Sequence, residues 1–244
     1  MTNDKQKVEL DSNRPTPARA IPVRWVNAPA AKRPGKNATE QQKAEYKVSA
    51  KTHNLSSTAV KELIELRKEL DDLGYQDKIL INVGDASFCN KICMSAIIDR
   101  VIQVSRCKKN AVLCFRAKEG SRRFYDEIVF TPESVMNDKS ILWKKGLFFY
   151  GGEWRELQYK EVCNVYWRNA TQRRPLRLIV MAPTPYWKGG RKNYRRPAFL
   201  LATDNEIAVE VLIQAYIDRW QMEYCHRDAK SVLGVGEAQV WNAQ

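Results

Sequence analysis

Lys78-Ile-Leu-Ile-Asn-Val-Gly84, running into Asp85-Ala-Ser-Phe88, is a short apolar, β-branched stretch that stops at a glycine and an acid. Such a run reads as a buried strand with a carboxylate at its carboxyl end. Upstream, Ser56 or Ser57 can cap a helix whose apolar positions Val60, Leu63, Leu66, Leu70 and Leu73 recur at three-to-four spacing before Gly74 stops it. Downstream, a helix to about Val104 and a second buried strand over Asn110–Phe115 complete a helix, strand, helix, strand order. That order predicts an α/β layer.

Beyond Phe115 the texture changes to alternating aromatic and polar residues. Antiparallel strands are expected at Phe124–Phe130, Leu147–Tyr150, Trp154–Tyr159, Val162–Trp167 and Leu176–Met181, with Gly151-Gly152 as a hairpin turn. A buried strand returns at Ala198–Thr203, and Asp204 or Asn205 then caps a long helix ending near Gly234. At the other end, Pro15, Pro17, Pro22, Pro29 and Pro34 crowd residues 1–54, which read as an extended arm or linker.

Lys and Arg total 41 against 28 Asp and Glu, a formal charge of +13. A polyanionic partner suits that surplus, and nucleic acid is the first candidate. The surplus concentrates between Lys139 and Arg196, notably at Arg173-Arg174 and from Lys188 to Arg195-Arg196. No run approaches the roughly 18 apolar residues of a membrane span, and no apolar segment follows the N-terminal lysines as in a secretory signal. A soluble protein of the cytosol or nucleoid, with no membrane partner, is expected. Six cysteines lack paired Cys-x-x-Cys knuckles and have only His53 and His226 as imidazole partners, so they read as reduced, small buried hydrophobes rather than zinc ligands.

The last helix carries the chemistry. At about 100° per residue, Tyr216, Arg219, Glu223 and Lys230 fall at roughly 0°, −60°, −20° and −40°, one narrow stripe. Val209, Ile213, Ile217 and Trp220 fill the neighbouring sector, so the stripe borders a buried face, as the lining of a cleft would. On geometry alone, Arg219 and Glu223 could equally be an ordinary i,i+4 pair, and Tyr216 a core residue. The spacing Tyr216-x2-Arg219-x3-Glu223-x6-Lys230, however, resembles the Tyr-Arg-Glu-Lys signature of cut-and-paste insertion-sequence transposases of the DDE class. Its surroundings resemble that motif's context as well: Leu200-Leu-Ala-Thr-Asp204 before it, Arg219-Trp220 within it, and Gly234-Val-Gly236 after it.

Asp85, followed by Ser87-Phe88-Cys89, is similar to the second catalytic aspartate of that family. By itself it could as well cap a helix or close a turn. Ligand sites of open α/β sheets lie beyond the carboxyl ends of strands, where such an acid can meet one from a later helix. The resemblance implies an α/β fold, a partial ribonuclease H-like domain with a mixed sheet and flanking helices, interrupted by a basic β-rich insertion. Its boundaries would be an arm at 1–54, the first part of the core at 55–118, the insertion at 119–198 and the closing strand and Glu-bearing helix at 199–244. Four of the seven tryptophans, Trp143, Trp154, Trp167 and Trp187, fall in the insertion. A tryptophan there holds a flipped base in relatives, and Trp167 or Trp154 would serve.

The resemblance further implies that Asp85 and Glu223 are catalytic metal ligands for two Mg²⁺ or Mn²⁺ ions. Tyr216, Arg219 and Lys230 would contact DNA near the transposon end, and Arg173, Arg174, Arg195 and Arg196 would bind its backbone. Asp204 is more simply a cap than a further ligand. The family's first aspartate, on an early strand, has no counterpart: Asp4 and Asp11 sit in polar segments, and Asp71, Asp72 and Asp77 at a helix end and turn. The expected function is therefore that of a DNA transposase piece, truncated or split between reading frames and inactive alone. Its partners would be DNA and a second copy or the missing N-terminal part. A non-catalytic DNA-binding or regulatory fragment is the alternative, and a basic ribonucleoprotein module would leave the stripe unexplained.

Overall fold

Capping starts the chain's regular structure earlier than the proline spacing predicts. In the computed structural model, which describes residues 24, 26–28, 31–150, 152–171 and 173–233, Thr39 and Gln42 form a reciprocal capping box at the head of α1 (Glu40–Thr52). A box of this kind satisfies two orphan amides locally, so the arm expected over 1–54 gives way to helix at residue 40. Pro15, Pro17, Pro22 and Pro29 lie outside the described residues, as do Asp4 and Asp11.

The next helix, α2 (Leu55–Asp72), is capped by Asn54, which accepts from the Ser57 amide. Ser56 and Ser57 are not its caps; the Ser56 hydroxyl instead accepts from Asn90 Nδ2 at 2.7 Å. Gly74, at φ +89, ends the helix as expected. The buried Arg67 bonds the Tyr75 and Lys78 carbonyls and Asp71, and Arg100 grips both oxygens of Asp71. The turn into the first strand is thereby clamped.

That strand, β1 (Leu80–Gly84), forms where the apolar run predicts, but at the sheet edge and half-buried, with only Gly84 buried. The helix expected to reach Val104 does not. It is replaced by the short α3 (Lys91–Ser95), capped by Asn90, and by β2 (Val101–Arg106), parallel to β1 from Leu80↔Val101 to Gly84↔Ser105. Burial decides this: Val101, Ile102 and Val104 are all inside, and a strand with alternate sides covered favours β-branched residues. The Gln103 amide ties the two elements, donating to the Cys93 and Ala96 carbonyls at the end of α3.

The strand expected over Asn110–Phe115 is β3 (Leu113–Arg116). It pairs with β4 (Tyr125–Phe130) in a separate two-stranded sheet, and Cys114 bridges to Tyr166 on its other side. After α4 (Pro132–Asn137) come β5 (Lys144–Tyr150) and β6 (Glu153–Val165). Gly152 lies between them at φ +90, and Gly151 is outside the described residues. The two strands expected at Trp154–Tyr159 and Val162–Trp167 are one, with a register shift between Val162 and Val165. There Asn164 takes φ 56, and its amide donates to Asn205 Oδ1. Then follow β7 (Leu176–Met181), the hairpin β8 (Pro185–Lys188) and β9 (Arg191–Tyr194), and β10 (Ala198–Ala202).

The chain divides into two units. The larger, Val26–Lys144 with Gln158–Glu206, holds a mixed sheet in the order β1-β2-β10-β7-β6. Strand β10 runs antiparallel to both neighbours, so β6 and β7, expected within an insertion, belong to the same sheet as β1. Its core joins Met94, Leu113, Val135, Leu176, Leu178 and Leu201, with Trp143 and Trp167 packed at its margin. Lys160, 2% exposed, is held by three carbonyls at the end of α4, those of Val135, Met136 and Asp138, and lies over the Trp143 ring. The smaller unit comprises Lys145–Leu157 and the described residues from Ile207 onward, including α5 (Val209–Asp218) and α6 (Gln221–Leu233). Within it the buried Gln214 amide accepts from the Phe149 N–H and donates to its carbonyl, a side chain standing in for a ladder partner of β5.

The cysteines are all free thiols, as expected, and three are fully buried. Burial, with Cys93 adding to it, pushes the Cys89 thiol up to about 12. A raised thiol favours the folded state below its unfolded value near 9, and that advantage is lost as pH climbs from there toward 12. The urea midpoint of the native chain should therefore fall more steeply across this window than that of Cys89→Ala; parallel declines would mean the thiol is not desolvated. At the end of β1, a Cβ on Gly84 would sit 2.8 Å from Phe88 Cβ and 3.0 Å from Ser105 Oγ. Gly84→Ala should cost about 1–3 kcal/mol through forced displacement of these neighbours, measurable by urea unfolding, and an unchanged midpoint would show that the turn yields freely.

Candidate functional site

The absence of a side chain at Gly84 lets Phe88 fold back on the strand end, which presents Asp85 in the following turn. Asp85 is exposed, and its Oδ1 accepts from the Ser87 amide at 2.7 Å and the Ser87 hydroxyl at 2.6 Å. Two donors on one oxygen make an Asx turn. The turn-closing reading of this residue is thus realised, whereas the helix behind it is capped by Asn90. Asp85 stands at the carboxyl end of a strand paired in parallel with its neighbour, where an α/β sheet offers ligand positions. Asp71, by contrast, is taken up between Arg67 and Arg100.

The expected single long helix is two. Neither Asp204 nor Asn205 caps it: Asp204 Oδ1 closes a turn onto the Glu206 amide, Asn205 serves Asn164, and α5 begins after Ala208 with no side-chain cap. At Arg219-Trp220 the amides of Trp220, Met222 and Glu223 bond carbonyls three residues back, tightening the backbone and separating α5 from α6. The 100° rule therefore fails across this joint. Even so, Tyr216, Arg219 and Glu223 come together. The Arg219 guanidinium lies 5.9 Å from the Tyr216 ring centre, and its Nη2 is 3.6 Å from Glu223 Oε1. Arg219 Nε is buried and finds no acceptor among the described residues. Lys230 is exposed further along α6. The neighbouring sector is buried at Val209 and Ile213, half-buried at Ile217, and open at Trp220. Gly234 and Gly236 lie outside the described residues.

The four other arginines are used differently. Arg174 donates to the Ala96 carbonyl at 2.5 Å and to that of Thr203, and burial lowers its pKa. Its guanidinium is a structural pin. Arg173 is exposed, with its guanidinium 4.9 Å from the Phe124 ring centre. Arg195 and Arg196 are exposed beside the β8–β9 hairpin, and Arg195 lies over Tyr186. Trp154 packs edge-on against Phe149, and Trp167 against the core. Missed in the sequence is a group of cations at the end of β3 and in the loop to β4, Arg116, Lys118, Arg122 and Arg123, signalled only by the Arg122-Arg123 pair near Gly120.

Asp85 belongs to the larger unit and Glu223 to the smaller. Both offer the hard anionic oxygens that Mg²⁺ and Mn²⁺ prefer, but among the described residues no three His, Cys, Asp or Glu side chains gather as a metal site. No helix among the described residues is long and apolar enough to cross a membrane. No family model matches the chain, and no curated protein matches it significantly.

The 3.6 Å pairing of Arg219 with a half-exposed Glu223 is solvent-screened. A double-mutant cycle with Arg219→Ala and Glu223→Ala should give a coupling in unfolding free energy under about 0.5 kcal/mol. Coupling well above that would assign the pair to fold stability.

Proposed function

We propose that the chain is a DNA-binding part of a transposase of the DDE class, built on a ribonuclease H-like core and inactive in strand cleavage by itself. The observation that carries the reading is the cluster of Tyr216, Arg219 and Glu223 across a helix joint, in the order and spacing of the transposase signature, with Lys230 beyond it. A solvent-screened pair of this kind contributes little to stability, so a role toward an external ligand accounts for it better. The exposed Asp85 at the carboxyl end of β1 supports the same reading.

In this reading Arg219 orients the Glu223 carboxylate through its Nη2. Its remaining donors, with Lys230 and the Tyr216 hydroxyl, engage phosphates at a DNA end. Asp85 and Glu223 each offer the hard anionic oxygens that a divalent ion prefers. With no third carboxylate gathered among the described residues, the reading assigns this chain DNA binding and leaves cleavage to an assembly that supplies the missing acid, a second copy or another segment.

Purified chain should bind duplex DNA without strong sequence preference, with log affinity falling linearly against log salt. It should leave supercoiled plasmid intact in Mg²⁺ or Mn²⁺. Nicking abolished by Glu223→Ala would show a complete centre within these residues and overturn the inactivity. Absence of duplex binding at low salt would overturn the whole reading.

A further inference from the structure

A cleft opens between the loop joining β3 to β4 and the turn that follows Thr171. It encloses about 540 Å³ and is lined by Arg116, Lys118, Arg122, Arg123, Phe124 and Arg173, with Glu119 as its one acidic residue. Arg123 is paired with Glu127. The side chains of the other four cations meet no carboxylate at ion-pair distance among the described residues. Five cations against one acid line the cleft, and an external anion relieves that local excess of like charge.

The cations are also posed. The Phe124 ring is set edge-on to Tyr125 and to Tyr166, with centres 4.9 and 5.3 Å away. Arg116 and Arg173 both stack on it, their guanidinium carbons 5.5 and 4.9 Å from its centre. A guanidinium held over a ring by its charge keeps its N–H groups available, and such a group can grip a phosphate with two bonds. Phe124 thus serves as a post for two arginines rather than as a stacking surface for a base.

Backbone strain points the same way. Arg173 adopts φ 68, a left-handed conformation disfavoured for any residue with a Cβ. It is held there by its amide donating to Tyr125 Oη at 3.2 Å. Glycine would occupy the position without strain, so a long cationic side chain there is a stability cost matched to a use. Gly120, at φ +84 with open space around it, turns the loop that carries the remaining cations.

We infer that this cleft is a second nucleic-acid site, gripping a phosphodiester backbone through Arg116, Arg122 and Arg173 without reading bases. The cleft is far larger than one phosphate requires, which fits a polymer passing through. Its aromatic face is already covered by guanidiniums, so it lacks the apolar pocket that anchors an acidic peptide. The inference deepens the DNA-binding reading above and rests on it.

The test uses the full chain without metal, labelled duplex DNA, a single-stranded RNA of matched length, and polyglutamate as competitor, followed by fluorescence anisotropy over a salt series. Arg116→Gln with Arg122→Gln should reduce the slope of log affinity against log salt by about two, near one for each phosphate no longer neutralised. Arg173→Gly should weaken duplex binding roughly tenfold, the size of one charge-assisted bond, while its melting temperature stays level or rises because the strain is gone. Unchanged affinity and slope in both variants, with duplex binding intact, would overturn the cleft and leave the DNA reading standing. RNA binding that depends on the cleft, without duplex binding, would uphold the cleft and overturn the DNA reading. Displacement of nucleic acid by polyglutamate at lower charge concentration than by unlabelled duplex would overturn the phosphodiester assignment. A lowered melting temperature with normal binding in Arg173→Gly would make that arginine structural and overturn its part.

Discussion

Strand β10 is covered on both sides, and a buried strand must find a partner for every amide and carbonyl or lose free energy at each orphan. Its answer is to run antiparallel to β2 on one side and β7 on the other. Leu200, Leu201 and Ala202 are then wholly excluded from water along with Leu178, Ile179 and Val104. Where the ladder runs out, side chains take over: the Thr203 hydroxyl accepts from the Gln103 amide, and Arg174 bonds the Thr203 carbonyl. Because β2 is parallel to β1, the same constraint settles the end of β1 and the turn that carries Asp85.

The surplus of positive charge divides into two populations. Arg67, Lys160, Arg174 and Arg177 are partly or wholly buried and spend their donors on carbonyls or carboxylates of the chain itself. Their charge is committed to folding, since removing such a group strands several buried acceptors. Arg116, Arg173, Arg195 and Arg196 remain at the surface. A formal +13 therefore overstates what is available to an external polyanion, and location matters more than number.

The two acids singled out from the sequence sit in different surroundings. Asp85 is constrained by a local turn whose two donors come from Ser87, so its position follows from β1. Glu223 lies just past the joint between α5 and α6, where it pairs with Arg219. The buried Gln214 fastens α5 to β5 and so positions the joint from one side. A change in the Gln214 amide would reach Arg219 through helix α5, without touching either acid.

Local pattern alone was enough for the positions of β1, β4, β7 and β10 and for the stop at Gly74, because alternation, β-branching and a left-handed glycine act within a few residues. The grouping of Tyr216, Arg219 and Glu223 was also legible, since residues three and four apart meet on any helical turn. Tertiary structure decided the rest. Val101–Ser105 suits helix or strand by periodicity, and its burial between β1 and β10 makes it a strand. The break at Arg219-Trp220 leaves no proline or glycine in the sequence, and Arg174 looks as available as Arg173 until the carbonyls of Ala96 and Thr203 are brought beside it. Contacts between residues tens of positions apart set those outcomes, and no local pattern encodes them.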